Sequence, residues 1–256
     1  MASRIVKLRP DIYLVKAEKP GSHVYLIKGS NKNVLIDTGM TANYPYLKAS
    51  LHELGLRPKD VHFVILTHEH FDHIGTTTYF FDTAVVAAHR LAANKIELQD
   101  EFVTMLKHRN TSYKPFHAHI WLEDGTVIDL DSYKLRTVHT PGHTSGCISL
   151  YETKDKLLFT GDTVFGGGTL SDIASSGNIS DYMNSLQRLS SLRVEELYPG
   201  HGRASEDPEG DIQRGLEHAR NLFEDTKIIF DTLAQKSGRQ GMAERALEEL
   251  SKGKGN

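Results

Sequence analysis

The sequence of 256 residues has little of the features that mark specialised protein classes. Its single cysteine, Cys147, cannot form an intramolecular disulfide, which excludes a disulfide-stabilised scaffold. Neither sign of charge dominates, because 30 basic and 33 acidic residues give a formal net charge of -3 and are scattered along the chain. The sequence therefore lacks the strong positive charge that is typical of proteins that bind nucleic acid over a large surface. Binding of a nucleic-acid partner would require a small local basic patch.

Long apolar runs are missing as well. No stretch approaches the roughly 20 apolar residues that span a bilayer, and residues 1–7 lack the apolar core of a signal peptide. We therefore expect no membrane partner and a cytoplasmic location. With 39% hydrophobic and 25% charged residues, the composition is that of an ordinary globular protein. Cys147 heads the apolar run 148–151, which predicts a packed thiol rather than a reactive one.

What the sequence does contain is a dense group of potential metal ligands within residues 64–75. The apolar run at the start of this segment predicts a strand that is buried on both faces. His68 and His70 are two residues apart and point the same way on extended backbone, whereas Asp72 and His73 lie in the turn beyond. Because the two pairs reach different points, this one segment can contribute ligands to two cations.

Three further short motifs place a potential ligand at a glycine turn after an apolar or β-rich run. They are Pro-Gly-His ending at His143, Gly-Asp ending at Asp162, and Pro-Gly-His-Gly containing His201. Taken alone, a histidine after a strand is more often a hydrogen-bonded core or surface residue, and Gly-Asp is usually a turn. Four motifs in order are far more specific, and imidazole with carboxylate ligands suits zinc, iron or manganese.

Together, these motifs are similar to those of the metallo-β-lactamase-fold hydrolase superfamily, and the likeness covers roughly residues 10–205. The resemblance implies an α/β (α+β) fold, a four-layer αββα sandwich in which two mixed sheets are flanked by helices. It implies two divalent metal ions per chain, with zinc expected and iron or manganese as alternatives. The implied ligands are His68, His70 and His143 for the first metal, Asp72, His73 and His201 for the second, and Asp162 as a bridge.

The chemistry that follows is hydrolysis by a metal-activated hydroxide, with Asp72 placed to orient the hydroxide or accept its proton. We expect a binuclear hydrolase of small esters, thioesters or lactones acting on a small-molecule substrate. One alternative is a phosphodiesterase or endoribonuclease of the lactamase-beta-like branch, and a second is a non-catalytic binding or signalling protein on the same fold. An iron oxygenase of the persulfide dioxygenase type, which uses only the first three ligands, is a minor alternative.

Four residues are candidates for the substrate pocket: His117 and His119, and beyond the Gly-Asp motif Phe165 and Gly167. Lactonases that share these ligands usually have a tyrosine at the position of Phe165. The glycines at 166–168 allow close backbone approach to a substrate, although a flexible connection explains them equally well. The segment 91–113 has helix-compatible apolar spacing and is interpreted as a lid over the pocket.

The rest of the chain completes the two sheets. Apolar runs predict further strands at 12–15, 23–28, 33–39, 84–89, 126–130, 135–140, 147–151 and 156–159, and helical spacing predicts helices at 46–54, 76–80, 182–192 and 207–235. Asp37, at the end of one strand, either supports the site from behind the ligands or caps a loop. Residues 1–206 are interpreted as the catalytic domain. Residues 207–256 are interpreted as an amphipathic helix and a tail, which pack on the domain or at a homodimer interface.

Overall fold

A computed structural model describes residues 4–18, 20–105 and 114–236. The strands are β1 Ile5–Arg9, β2 Ile12–Val15, β3 Val24–Lys28, β4 Asn33–Ile36, β5 Phe63–Leu66, β6 Val85–His89, β7 Ile120–Leu122, β8 Val127–Asp129, β9 Lys134–His139, β10 Ile148–Glu152, β11 Leu157–Gly161 and β12 Glu196–Pro199. The α-helices are α1 Tyr44–Glu53, α2 Phe71–Ile74, α3 Arg90–Glu97, α4 Glu101–Thr104, α5 Ile179–Leu189 and α6 Pro208–Lys236.

These strands form two mixed sheets. The first holds β1 to β7 in chain order, with antiparallel neighbours up to β4 and parallel neighbours from β4 to β7. The second has the order β12-β11-β10-β9-β8, and within it only β11 and β12 are parallel among the described strands. The sheets face each other with helices outside, so the predicted αββα sandwich is confirmed.

Three apolar clusters hold these four layers together. The middle cluster lies between the sheets and includes Ile65, Leu150 and Phe159. One outer cluster joins the first sheet to α1 and α3, and the other joins the second sheet to α5 and α6. On β5, Ile65 belongs to the middle cluster whereas its neighbours Val64 and Leu66 belong to an outer one, since side chains alternate along a strand. This burial on both faces explains the unbroken apolar run.

The crossover from β4 through α1 to β5 positions the ligand segment. The two strands are parallel, with Ile36 opposite Ile65, and two buried leucines of α1 pack in the outer cluster beside them. Because both strands end at the same edge of the sheet, Asp37 after β4 comes to lie beside Thr67 after β5.

The long helix α6 begins close to the predicted residue 207. The Asp207 side chain accepts the N–H of Gly210 at 3.2 Å and so caps the start of the helix. Ile212, Leu216 and Ala219 pack on α5 and the second sheet, whereas no side chain from residue 220 to residue 229 is buried. The division of the chain at residue 206 and a homodimer interface on this helix stay predictions. Within the described ranges, no helix has an apolar stretch long enough to cross a membrane.

Some predicted elements differ from the structure. Strands β1 and β7 lie at the edges of the first sheet and were not predicted. The predicted helix at 76–80 is a single 3-10 turn, Thr77–Tyr79, and the helix predicted from residue 182 starts at Ile179, because Asn178 accepts the N–H of Asp181. The interpreted lid contains the short helices α3 and α4, while its residues 106–113 lie outside the described residues, as does the tail from residue 237.

The middle cluster predicts the effect of one core substitution. Leu150→Ala removes a fully buried side chain between the sheets and is expected to lower the free energy of unfolding by about 3 kcal/mol, because the cavity is lined by rigid strands on both sides. Urea denaturation followed by circular dichroism measures this. Val127→Ala, at a side chain that is 55% exposed, is the control and should change the value by less than about 0.5 kcal/mol. Equal effects of the two substitutions would contradict the assigned core.

Candidate metal centre

The predicted ligands meet at one edge of the sandwich, on loops from both sheets. Ligands from the first sheet are His68 and His70 after β5 and Asp72 and His73 on α2; those from the second sheet are His143 between β9 and β10, Asp162 after β11 and His201 after β12. All are buried except His201, which is partly exposed. A cluster that opens to solvent at one histidine is accessible to a substrate from that side.

His68, His70 and His143 form one group, in which one potential ligand atom from each residue lies within 4.8 Å of the others. Nε2 of His143 is 2.9 Å from Nδ1 of His70, and the rings of His68 and His143 have centroids 5.0 Å apart. Three imidazoles that converge in this way match a three-histidine metal site.

Asp72, His73 and His201 form a second group within the same distance limit. Nε2 of His201 is 3.1 Å from Oδ2 of Asp72 and 3.3 Å from Nε2 of His73. Asp162 lies between the groups: its Oδ1 is 3.3 Å from Nε2 of His73, and its Oδ2 is 3.8 Å from Nε2 of His143. One carboxylate therefore faces both groups of ligands.

Asp37 supports this second group from behind. Its Oδ2 accepts the Nδ1–H of His73 at 2.8 Å, and its Oδ1 accepts the N–H of Thr67 at 2.7 Å. Burial favours neutral His73, but the carboxylates of Asp162, Asp37 and Asp72 outweigh it and raise the pKa of His73 well above its ordinary value. Because Nδ1–H is bonded to Asp37, Nε2 is the ring nitrogen that faces the cluster and would bind a metal with loss of its proton. The backbone of Asp37 is left-handed, with φ of 58°, a conformation that Asp and Asn tolerate better than most residues. The sequence allowed two roles for Asp37, support of a ligand or capping of a loop. In the structure, Asp37 supports the candidate ligand His73.

A main-chain carbonyl fixes His143 in the same manner. Its Nδ1 donates to the carbonyl oxygen of Asp172, and the N–H of Ala174 donates back to the His143 carbonyl at 2.9 Å. This pairing leaves Nε2 of His143 directed at His70 and Asp162. Sequence reasoning missed Asp172, and no signal in the sequence points to it, since every residue type supplies a carbonyl.

Burial keeps His68 and His70 of the first group in the neutral form that binds metal. It lowers the pKa of His68 well below the ordinary value and that of His70 to about 3, and neighbouring imidazoles add to both shifts. For Asp162, burial favours the acid, but His73 and the other nearby histidines outweigh it and hold the pKa well below the usual range. Neutral imidazoles beside an ionised carboxylate are what a divalent metal requires.

The hydrogen bonding fits a metal too. Nε2 of His68 and Nε2 of His70 are buried and have no hydrogen-bond partner among the described residues. A buried polar atom without a partner costs about 1–3 kcal/mol, and coordination would remove that cost. The donor set of imidazoles and carboxylates therefore fits divalent metal ions, as expected from the sequence.

Glu69, between two ligands, is a further residue that sequence reasoning missed. It is fully buried, and its carboxylate accepts the hydroxyl of Thr144 at 3.0 Å and that of Ser176 at 3.4 Å. Burial raises its pKa. The sequence could have indicated this role of Glu69. Side chains alternate along an extended backbone, so Glu69 must point away from His68 and His70, towards the neighbouring loops. Its hydrogen bonds tie the ligand segment to the loops around Thr144 and Ser176.

The predicted pocket residues separate into two pairs. Phe165 lies against the cluster, with its ring centroid 6.0 Å from that of His201. Gly167 adopts φ of 84°, which favours glycine, and it lines a polar groove together with Arg203. Both residues are therefore at the rim of the site, although their contact with a substrate stays a prediction.

His117 and His119 lie elsewhere, and their assignment to the pocket is corrected. Nδ1 of His119 accepts the N–H of Val86 at 3.0 Å, and its ring stacks on Phe81. Val86 pairs with Val64, four residues before His68, which puts it about 13 Å along the strand direction from the ligands. Both histidines are exposed and lie against Phe81 at the opposite end of the parallel strands.

Two further histidines, His89 and His139, stack on each other. His89 is buried and stacks on His139 with ring centroids 3.9 Å apart, and burial lowers the pKa of His89 to about 4. Nε2 of His139 lies 3.0 Å from the carbonyl oxygen of Ser145, near the loop that carries His143. This stacking gives His89 a structural role.

Comparison with known proteins places these features in a family. The family model described as "Metallo-beta-lactamase superfamily" matches residues 18–201. The chain is 32% identical over 201 residues to "Acyl-coenzyme A thioesterase MBLAC2" of Gallus gallus, covering 70% of this chain and 72% of that protein. The crystal structure of a metallo-beta-lactamase family protein from Thermus thermophilus superposes with a TM-score of 0.73 at 24% identity, covering 86% of this chain and 82% of that one.

Two other relatives are longer than the aligned part. The chain is 28% identical over 198 residues to "Beta-lactamase-like protein 2 homolog" of Caenorhabditis elegans, covering 77% of this chain but 61% of the relative. It is 28% identical over 201 residues to "Atrochrysone carboxyl ACP thioesterase" of Aspergillus fumigatus, covering 77% of this chain and 56% of the relative. Together with the donor cluster, these names confirm the prediction of a metal-dependent hydrolase and leave its substrate open.

The contacts of Asp37 predict a loss of metal affinity on a small change. Asp37→Asn keeps the size and tolerates the left-handed backbone, but it replaces one acceptor oxygen by an N–H₂ group that faces donors of Thr67 and His73. Zinc affinity, measured by competition with a chromophoric chelator, should fall about 10- to 100-fold. Asp172→Asn is the matched control, because only the main chain of Asp172 bonds His143, and it should bind zinc normally. Unchanged affinity in Asp37→Asn would refute the supporting role.

Proposed function

Because the chain belongs to the metallo-β-lactamase superfamily, we propose that it is a binuclear metal-dependent thioesterase. The observation that carries this proposal is the position of Asp162, whose carboxylate faces the three-histidine group and the group of Asp72, His73 and His201 at once. A shared carboxylate between two complete ligand groups is the arrangement that two neighbouring cations need.

In the proposed site, His68, His70 and His143 would hold one cation, Asp72, His73 and His201 would hold the other, and Asp162 would serve both. Zinc is the proposed metal, and iron or manganese would suit the same donors. When bound, two such cations supply Lewis acidity and make water nucleophilic near neutral pH.

The chain's own residues prepare the proton transfer. Burial favours protonation of Asp72, but His73 and His201 outweigh this effect and lower the pKa of Asp72 below its ordinary value. Asp72 is therefore ionised at neutral pH, and its carboxylate, beside His201, can accept a proton from water. Cys147 is not a nucleophile here, because burial raises the pKa of its thiol.

Thioesters are favoured over the other acyl substrates by two considerations. Two relatives carry thioesterase names, one for acyl-coenzyme A and one for an acyl carrier protein. The chain also has Phe165 where lactonases with these ligands usually have tyrosine, so a hydroxyl donor near His201 is replaced by a ring edge. A thiolate, with a thiol pKa near 8.5, departs more readily than an alkoxide and depends less on such a donor.

A substrate panel tests this proposal. Zinc-loaded protein is assayed on octanoyl-coenzyme A, a glutathione thioester, an acyl lactone, an aryl ester and an aryl phosphodiester. We expect kcat/KM of about 10⁴ M⁻¹s⁻¹ or more on a thioester, the usual range of a real substrate, and at least tenfold less on the other classes. A rate confined to the phosphodiester would overturn the thioesterase proposal in favour of nuclease-like chemistry.

Removing the shared carboxylate tests the binuclear part separately. Asp162→Ala should lower the zinc content from two ions to one or fewer per chain and reduce thioester kcat/KM by about 10³-fold or more, because the ligand to both cations and its charge are lost together. Metal content is measured by mass spectrometry after equilibrium dialysis. A variant that retains two zinc ions and normal turnover would refute the bridging role.

A further inference from the structure

We propose that the groove between residues 169–173 and helix α6 binds the acyl chain of the thioester. This inference rests on the proposed function and specifies the substrate end that the enzyme recognises. We call it the acyl groove; its second wall is formed by His218 and Leu222, which are one helical turn apart and so share a face of α6. Its cavity volume of about 410 Å³ is within the range of small-molecule sites.

The acyl groove adjoins the metal centre through its own backbone. The carbonyl oxygen of Asp172, in the first wall, accepts the Nδ1–H of the ligand His143. The second wall is fastened to the glycine turn, since Nδ1 of His218 lies 3.0 Å from the carbonyl oxygen of Gly168. A group bound in the groove therefore lies next to the loop that orients His143.

The lining of the acyl groove combines polar side chains with three aliphatic ones. Ile173 is 38% and Leu222 is 44% exposed, and Leu170 contributes a third aliphatic side chain. The Ser175 hydroxyl donates to the carbonyl oxygen of Phe102 at 3.4 Å, which brings Phe102, 82% exposed, to the same loop. Large aliphatic and aromatic side chains that cluster at a groove mark a binding surface more often than scattered ones do.

The opposite side of the glycine turn has a different character. There Gly167, Arg203 and Glu206 line a polar groove, in which Arg214 is paired with Asp207. A thioester has an apolar chain on one side of its carbonyl carbon and a polar thiol moiety on the other. The two grooves match these two ends, which is why the acyl chain is assigned to the apolar one.

A chain-length series tests the assignment. kcat/KM is measured for acetyl-, butyryl-, hexanoyl- and octanoyl-coenzyme A with the zinc-loaded full chain. The wild type should gain about two- to fourfold per methylene, since a fully buried methylene contributes about fourfold. Leu222→Glu should lower the octanoyl to acetyl ratio of kcat/KM by at least tenfold, because a carboxylate then borders the bound chain. An unchanged ratio in this variant overturns the acyl groove.

Ile229→Glu is the matched control, on the same helix two turns beyond the groove and 58% exposed. It should retain the wild-type ratio, and an equal loss in both variants would show a general effect of charge on α6 and overturn the inference. Gel filtration of both variants tests the other possible occupant, a second copy of the chain. A dimer that Leu222→Glu dissociates without changing the chain-length ratio also overturns it.

Binding without turnover separates failure of the groove from failure of the proposed function. Calorimetry with the non-hydrolysable S-octyl and S-ethyl thioethers of coenzyme A should show at least tenfold tighter binding of the octyl compound to the wild type, and a loss of this preference in Leu222→Glu. If the preference is present but no thioester is hydrolysed, the thioesterase proposal is wrong and the acyl groove stands. If the preference is absent, the acyl groove is wrong.

Discussion

His73 is held between two buried carboxylates, and much of the site depends on this arrangement. Its Nδ1 bonds Asp37 and its Nε2 faces Asp162. Asp37 follows β4 of the first sheet and also binds Thr67 at the end of β5, whereas Asp162 follows β11 of the second sheet. One imidazole therefore links the two halves of the sandwich at the edge where the ligands meet. The attraction also offsets the cost of burying the ionised groups, which would be high for any of them alone.

The ligands could be predicted from the sequence because each follows an apolar strand and each belongs to a short motif. The alternation of His68 and His70 follows from backbone periodicity alone. Asp72 and His73, predicted on a turn, lie instead on the short helix α2. Asp172 could not be found in this way, because it acts through a carbonyl that carries no side-chain identity. His117 and His119 were misassigned to the substrate pocket since a histidine pair looks the same in sequence whether it faces a substrate or packs on Phe81. Strands β1 and β7 were missed because most of their side chains are exposed or half-buried, which leaves a weak apolar pattern.

The proposed metal ligands and the proposed substrate grooves lie in different parts of the fold. The ligands and their supports lie among buried strands, where small changes cost several kcal/mol. The two grooves beside the glycine turn are instead formed by a loop and by the outer part of α6, whose side chains from residue 220 to residue 229 are not buried. Substrate recognition can therefore change with little effect on folding. This fits a superfamily in which one scaffold carries different hydrolase names.

The hydrogen bond from His143 to the carbonyl of Asp172 has an evolutionary consequence. A side-chain acceptor is lost by a single codon change, but a main-chain carbonyl survives every substitution that preserves the local backbone. The segment that borders the metal centre is therefore free to explore new side chains while the ligand histidine keeps its tautomer. Side chains in this loop can therefore change, and alter which substrates fit, without loss of the bond that orients His143.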